Sequence, residues 1–403
     1  VAEAAASAPP HMRRNVLLLS VAQALSMSSA VLVFTVTALA GGTFDIDPSL
    51  VTLPLTLQFA TTMVATFPLA HLMARLGRRV GFTVGQVFGI VGGLLSMQAL
   101  LMGDFVLFCV AGAIIGVYNA SWQFLRFAAA EASDERFRAR AISWVLAGGL
   151  VAALIGGELA KGTTDLLPVV FAGSYIGTAG LAALTIVVLQ FLRMPPLPKA
   201  GGSAGSGRPL GRIARQPAFV VAVLAAMFGY AVMNLEMTAT PLAMVACGFP
   251  FTDSAWVIQW HVVGMFLPSF FTGNLIRRFG VLPIIVAGGV LNLACIAVAL
   301  AGVELANFWL ALVLLGVGWN FMYIGGTTLL TETYQPEERA KVQAFNDCLV
   351  FGSVALASFG SAAMQARIGW DGVNMATTLP IALSLVAALG LMAARRKRAA
   401  AAA

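Results

Sequence analysis

The sequence predicts an all-α membrane protein with 12 transmembrane helices in a 6+6 arrangement and both termini cytoplasmic. Three observations predict it. Of the 403 residues, 59% are hydrophobic and only 10% charged, with a mean hydropathy of +0.89, whereas a soluble domain carries about a quarter charged residues. Apolar runs recur at the length of roughly 20 residues that crosses a hydrocarbon core. The basic residues fall almost entirely in every second connection between those runs.

In chain order, helices are predicted near 16 to 40, 50 to 73, 80 to 101, 105 to 130, 141 to 160, 167 to 192, 218 to 246, 253 to 276, 281 to 302, 306 to 332, 342 to 366 and 372 to 394. Lys and Arg accumulate in cytoplasmic loops. Arg13 and Arg14 precede the first helix, Arg75, Arg78 and Arg79 follow the second, and Arg136, Arg138 and Arg140 follow the fourth. Arg193, Lys199, Arg208, Arg212 and Arg215 follow the sixth. Arg277 with Arg278, Arg339 with Lys341, and Arg395, Arg396, Lys397 and Arg398 complete the pattern. All but Arg126, Lys161 and Arg367 therefore lie on one side. A pI near 9.6 is explained by this topology and by anionic lipid headgroups, so nucleic acid is not an expected partner.

The first helix is long enough to act as an uncleaved signal anchor, preceded by an Ala-rich arm, Val1 to Pro10. Cys109, Cys247, Cys295 and Cys348 include no close-spaced pair, which argues against a disulfide framework or a zinc knuckle. No Walker loop or HExxH sequence occurs, and no Gly-x-Ser-x-Gly lies in the strand-to-helix setting of a nucleophile elbow, so no enzymatic activity is expected.

A Pro, Gly and Ser-rich stretch from Met194 to Pro209 disfavours packed structure and reads as a linker. It predicts an N-terminal six-helix bundle (1–192), a cytoplasmic linker (193–217) and a C-terminal six-helix bundle (218–403). The halves are weak repeats. Arg75-Leu-Gly77 recurs as Arg278-Phe-Gly280, and Gly116-Val-Tyr-Asn119 recurs as Gly316-Val-Gly-Trp-Asn320. After these helices, Glu131-Ala-Ser-Asp-Glu-Arg136 is echoed by Glu332 to Arg339.

This 6+6 repeat resembles the major facilitator superfamily over essentially the whole chain. The stretch from Ala70 through Arg75-Leu-Gly77-Arg78-Arg79 is similar to that superfamily's loop 2-3 signature, departing from it at Ala70, where Gly is usual, and at Ala74, where an acid is usual. The resemblance implies alternating access with substrate bound near the midplane. It also implies gating partners among Arg75, Arg78 and Arg278, with Glu131, Glu332 and Asp347 as candidate counter-charges. The plain alternative is that these are ordinary helix-end charges.

Polar or soft groups at membrane depth mark a pathway by default. His261 is the one histidine near the centre of a predicted helix, Glu236 is the most central acid, and Glu158 lies near the outer end of its helix. Met233-x-x-x-Met237 and His261-x-x-x-Met265 lie on consecutive helices, and residues four apart share a helical face. Counting rise per residue from Cys247 and from Asp253 places Met237 and His261 at similar depth. Three thioethers and an imidazole suit a soft ion such as Cu(I). Sixteen Met occur in the chain, and methionine fills irregular gaps, so either pair alone reads as packing. Their co-occurrence favours metal. Cys247 is a candidate relay on the route in. Glu236 is either a proton-coupling group or faces a neighbouring helix. One repeat earlier, the positions of Met233 and Met237 fall on Val31 and Thr35, so the set is asymmetric.

The two spaced pairs resemble the signature of CcoA-type bacterial copper importers. That resemblance implies metal ligation by Met233, Met237, His261 and Met265, with copper as transported substrate and no permanently bound cofactor. It further implies import across the bacterial inner membrane and supply of copper to cbb3-type cytochrome c oxidase. A periplasmic donor or cytoplasmic copper chaperone is then the expected partner, beside the lipid bilayer. Two other readings stay open. A proton-coupled exporter of small organic compounds predicts an aromatic cavity, dependence on Glu158 or Glu236, and indifference to the Met pairs. A non-transporting assembly factor predicts partner binding without uptake.

Overall fold

The repeated Arg-x-Gly sequences end in the same backbone geometry. Gly77 stands at φ 89°, ψ 159° and Gly280 at φ 91°, ψ 160°, a left-handed turn that L side chains resist and glycine accepts. Each glycine ends one helix and starts the next.

The computed structural model describes residues 11–134, 137–194 and 207–402. The predicted arm at 1–10, the core of the predicted linker at 195–206, and Arg136 lie outside the described residues, as do the side chains of Arg138 and Arg140. All regular structure among the described residues is helical. In chain order it comprises α1 (Met12–Gly41), α2 (Leu53–Leu76), α3 (Arg78–Met102), α4 (Phe105–Trp122), α5 (Leu125–Glu131), α6 (Arg138–Thr163) and α7 (Ala172–Gln190). There follow α8 (Leu210–Ala214), α9 (Pro217–Ala246), α10 (Phe251–Phe266), α11 (Ser269–Phe279), α12 (Val281–Leu300), α13 (Leu305–Leu330) and α14 (Arg339–Ala402).

Nine helical stretches among the described residues are long and apolar enough to cross a membrane. The protein is a multi-pass membrane protein. Its helices depart from the predicted segments at identifiable points. The segment predicted at 253 to 276 divides into α10 and α11 at Pro268, whose missing N–H and ring break the helical ladder. The segment at 105 to 130 divides at Gln123 and Phe124, where the Phe124 N–H turns back to Ser121 O at 3.2 Å. The two segments at 342 to 366 and 372 to 394 run together as α14, interrupted at Gly369, which sits at φ 67°.

The chain divides into two compact units, Val1–Val33 with Val64–Lys199 and Phe34–Met63 with Ala200–Ala403. In the first, α3 packs on α4 and α7. Tyr118 is fully buried and donates to Ser26 O at 3.1 Å, while Gln86 Nε2 donates to Ser26 Oγ at 3.2 Å, tying α1 to α3 and α4.

In the second unit α13 is the central element, packed on α9, α10 and α12. Small residues let membrane helices approach closely, and here two glycines do so on different faces. A methyl group on Gly326 would lie 2.8 Å from Ala222 O of α9, and one on Gly316 would lie 2.5 Å from His261 O of α10. Asn320, from the repeated motif, bridges the α10/α11 break. Its Nδ2 donates to Met265 O and to Ser269 Oγ, each at 2.7 Å, satisfying a carbonyl near the point where Pro268 interrupts the ladder.

Within the later part of the predicted linker, Arg208 clamps onto the short 3-10 turn Pro336–Glu338 before α14. Its backbone N–H and Nε donate to Glu338 Oε1 at 2.6 and 3.0 Å, and Nη2 donates to Glu338 Oε2 at 2.7 Å. Glu338 is fully buried. The Arg208 guanidinium, followed by the Gln335 N–H, holds the Glu338 carboxyl down at about 2, against an ordinary 4.5. A depressed acid contributes its stability above the unfolded value and loses it as pH falls through the folded one. The clamp is therefore complete above about 4.5 and opens as pH approaches about 2. Glu338→Gln is expected to open it at neutral pH, read as faster amide hydrogen exchange at Arg208 and Gln335, whose N–H groups donate to this carboxylate; unchanged protection would show that the carboxylate does not hold this segment.

Candidate functional site

The second unit gathers aromatic side chains from four helices into one cluster. Trp319 and Tyr323 are four residues apart on α13 and stack at 5.2 Å with an interplanar angle of 10°. Tyr230 of α9 stands edge-on to both, at 5.4 Å from Trp319 and 5.3 Å from Tyr323. Phe351 of α14 lies 6.0 Å from Tyr230, and Phe266 at the end of α10 lies 6.2 Å from Trp319. Offset and edge-to-face contacts of this kind suit ring quadrupoles. The close approach of α9 and α13 at Gly326, seven residues beyond Trp319, makes the contact possible.

Tyr230, Tyr323, Phe351 and Phe266 are partly exposed, and Trp319 is buried. The Trp319 Nε1–H has no hydrogen-bond partner among the described residues. A buried donor left unmade costs about 1–3 kcal/mol. The cluster thus combines partly exposed flat apolar faces with one buried donor that lacks a partner among the described residues, a set chemically suited to a planar ring bearing acceptors. Sequence reading missed it. The available signal was rarity: only five Tyr occur in the chain, and two of them, Tyr230 and Tyr323, meet here.

Glu236 is the second polar feature. It is fully buried within α9. Its Oε1 accepts from Thr377 Oγ1 of α14 at 2.8 Å and its Oε2 accepts from Cys295 Sγ of α12 at 3.2 Å. Thr377 Oγ1 also lies 2.7 Å from Asn374 O. Glu236 and Glu338 are the buried carboxylates among the described residues. Glu338 faces an arginine; Glu236 has no ion-pair partner among the described residues.

Of the soft ligand set, Met233, Met237 and Met265 are buried, and His261 is fully so. His261 Nδ1 lies 2.7 Å from Leu312 O. A carbonyl only accepts, so Nδ1 carries the hydrogen and the ring ties α10 to α13. Nε2 has no hydrogen-bond partner among the described residues. No group of three or more His, Cys, Asp and Glu able to hold a metal occurs among those residues. Cys247 is exposed at the end of α9.

Among the gating candidates, Arg78 forks onto Glu131, with Nη2 to Oε1 at 2.6 Å and Nε to Oε2 at 3.0 Å. Arg78 also lies over the Phe124 ring at 5.7 Å. Glu332 pairs with Arg395 at 2.7 Å. Arg278 lies over Phe279 at 5.2 Å, Asp347 accepts from Asn346 Nδ2 at 3.1 Å, and Arg75 is exposed in the last turn of α2. Glu158 pairs with Lys161 one turn on, at 2.6 Å.

Residues 18–347 match the Major Facilitator Superfamily. The chain belongs to the major facilitator superfamily. It is 41% identical over 376 residues, 93% of this chain and 94% of the relative, to the riboflavin transporter RfnT of Brucella anthropi. Its fold is similar to that of an auto-inhibited POT family peptide transporter, with a TM-score of 0.71 at 14% identity over 95% of this chain and 97% of that one. It is also similar to the nucleoside transporter NupG, with a TM-score of 0.69 at 16% identity over 93% and 99%. At these identities the two structures speak for fold alone.

The copper-importer reading, with its supply to cbb3-type oxidase, is corrected by the RfnT relative, which is a transporter of riboflavin and not of a metal. The physical reason lies in the spacing itself. Two i, i+4 pairs fit buried packing as well as ligation, and His261 has a helix-tying partner in Leu312. Met237→Leu conserves volume, a change that costs under about 1.5 kcal/mol in a core. It is expected to leave transport within about twofold of the parent, as is Met233→Leu; a deep loss in both variants would give the thioethers a role that packing does not explain.

Proposed function

We propose that this superfamily member carries riboflavin, or a closely similar flavin, across the bacterial cytoplasmic membrane by alternating access, and that it is not an enzyme. The observation that carries the reading is the 41% identity to RfnT across nearly the full length of both chains. The cluster supports it chemically. An isoalloxazine is a flat tricycle with carbonyl and ring-nitrogen acceptors, and stacking on aromatic side chains is worth about 1–3 kcal/mol per ring in nucleobases. Tyr230, Trp319, Tyr323 and Phe351 supply the faces, and Trp319 Nε1 supplies a donor to a ring carbonyl.

Proton coupling through Glu236 belongs to the same reading. Thr377 has one hydroxyl hydrogen but lies within hydrogen-bond distance of two acceptors, Asn374 O and Glu236 Oε1. Both contacts are satisfied when Glu236 carries a proton and donates it to Thr377. The proposed topology keeps both termini cytoplasmic, with bundles 1–192 and 218–403 joined by 193–217. Substrate and lipid are the expected partners.

Counterflow in reconstituted vesicles tests the substrate without assuming a direction. Labelled riboflavin is expected to accumulate transiently in vesicles preloaded with unlabelled riboflavin. Accumulation no greater than in protein-free vesicles would sink the proposal.

A further inference from the structure

A groove of about 570 Å³ runs along the second unit between the first turns of α9 and the last turns of α14. Its floor includes Val220, Val221 and Leu391, and its rim carries Arg215, Arg395 and Arg398. Val220 is 42% exposed, so the floor opens outward and is not part of the packed interior. Arg395 pairs with Glu332 at 2.7 Å. The side chains of Arg215 and Arg398 have no hydrogen bond or ion pair among the described residues, and both are exposed.

Two membrane-crossing helices meet here on their arginine-rich side. Uncompensated guanidiniums sit above an apolar trough, and that is the order in which a phospholipid presents its parts: anionic headgroup at the surface, acyl chain below. Basic pockets between transmembrane helices hold anionic lipid headgroups in this way, and Arg matches phosphate geometry with its planar fork. We infer that this groove is a binding site for one anionic phospholipid of the bordering leaflet, its phosphate held by Arg215 and Arg398 and its chain laid along Val220, Val221 and Leu391. Arg395, held by Glu332, sets the edge of the headgroup site. The inference is independent of what the transporter carries.

Native mass spectrometry of the full-length protein in detergent, titrated with phosphatidylglycerol, phosphatidylcholine or glycerol 3-phosphate, tests it. Phosphatidylglycerol is expected to give a saturable one-lipid adduct, and the other two a weaker one, since each lacks either the net charge or the chain. Arg215→Gln with Arg398→Gln is expected to weaken the phosphatidylglycerol adduct roughly 30-fold, about fivefold per arginine. Val220→Trp fills the trough without touching charge and is expected to weaken it too, which covers the case in which the double variant does not fold. Equal phosphatidylglycerol affinity in the parent and in a folded variant overturns the site. So does equal binding of phosphatidylcholine, which would mark nonspecific lipid, or of glycerol 3-phosphate, which would mark a free-phosphate site.

Discussion

Replacing Trp319 with leucine is expected to raise the KM for riboflavin by roughly 10- to 100-fold, the equivalent of one lost stacking platform. The estimate rests on position. Trp319 touches Tyr230, Tyr323 and Phe266 at once, so removing it both deletes a face and loosens its neighbours, each aromatic pair being worth about 0.5–1.5 kcal/mol. Trp319→Phe separates the two contributions. It keeps an aromatic face, smaller than the indole, and removes the Nε1–H, which has no partner among the described residues, so the free protein loses no hydrogen bond there. Trp319→Phe is expected to raise KM about fivefold for one neutral hydrogen bond of about 1 kcal/mol, less than Trp319→Leu, which also loses the aromatic face. Maximal rate should stay near the parent's. A purely structural tryptophan would behave differently, lowering the amount of folded protein while leaving the KM of the remainder unchanged. Parental KM in both variants would remove the cluster from the substrate path.

Much of the scaffold was legible because it rests on local or additive signals. Hydropathy summed over long windows reports membrane depth, and the Arg-x-Gly repeat reported a real identity of backbone, with Gly77 and Gly280 in matching conformations. Asn320 is a similar case: its recurrence opposite Asn119 was visible as a repeat, and the structure gives it work at the break caused by Pro268. The site was harder to read because it depends on which third helix stands beside a pair. Depth counting treated α9 and α10 as facing one another, whereas His261 turns to Leu312 of α13. The aromatic cluster draws on α9, α10, α13 and α14, and no periodicity within a single segment reports that meeting. Glu236 was found as a membrane-depth acid, but its partners Cys295 and Thr377 lie 59 and 141 residues away in sequence. Substrate identity lies further from sequence physics still, because one fold serves many solutes.

Glu236→Gln should divide transport into two parts that respond oppositely. Glutamine keeps the shape of a neutral acid and retains an acceptor for Thr377 or Cys295, so folding and riboflavin counterflow are expected to stay within about threefold of the parent, a cost of about 0.6 kcal/mol. Counterflow exchanges one substrate for another and needs no net proton movement. Net accumulation against a gradient, driven by an imposed pH difference, does need it, and is expected to fall to the level of passive leak. This dissociation follows from a carboxyl buried with no ion-pair partner among the described residues, where a permanent charge is expensive and a neutral acid is not. The groups that contact it are Thr377 from α14 and Cys295 from α12, and both are neutral. Neither supplies a positive charge, so loading and unloading of the proton must accompany access to water in some other conformation of the transporter. Glu236→Leu, by contrast, removes the contacts with both Thr377 and Cys295 and is expected to lower stability by about 1–3 kcal/mol, impairing counterflow as well. If Glu236→Gln still concentrates riboflavin under a pH gradient, the carboxyl is a helix tie among α9, α12 and α14, and the driving ion acts elsewhere.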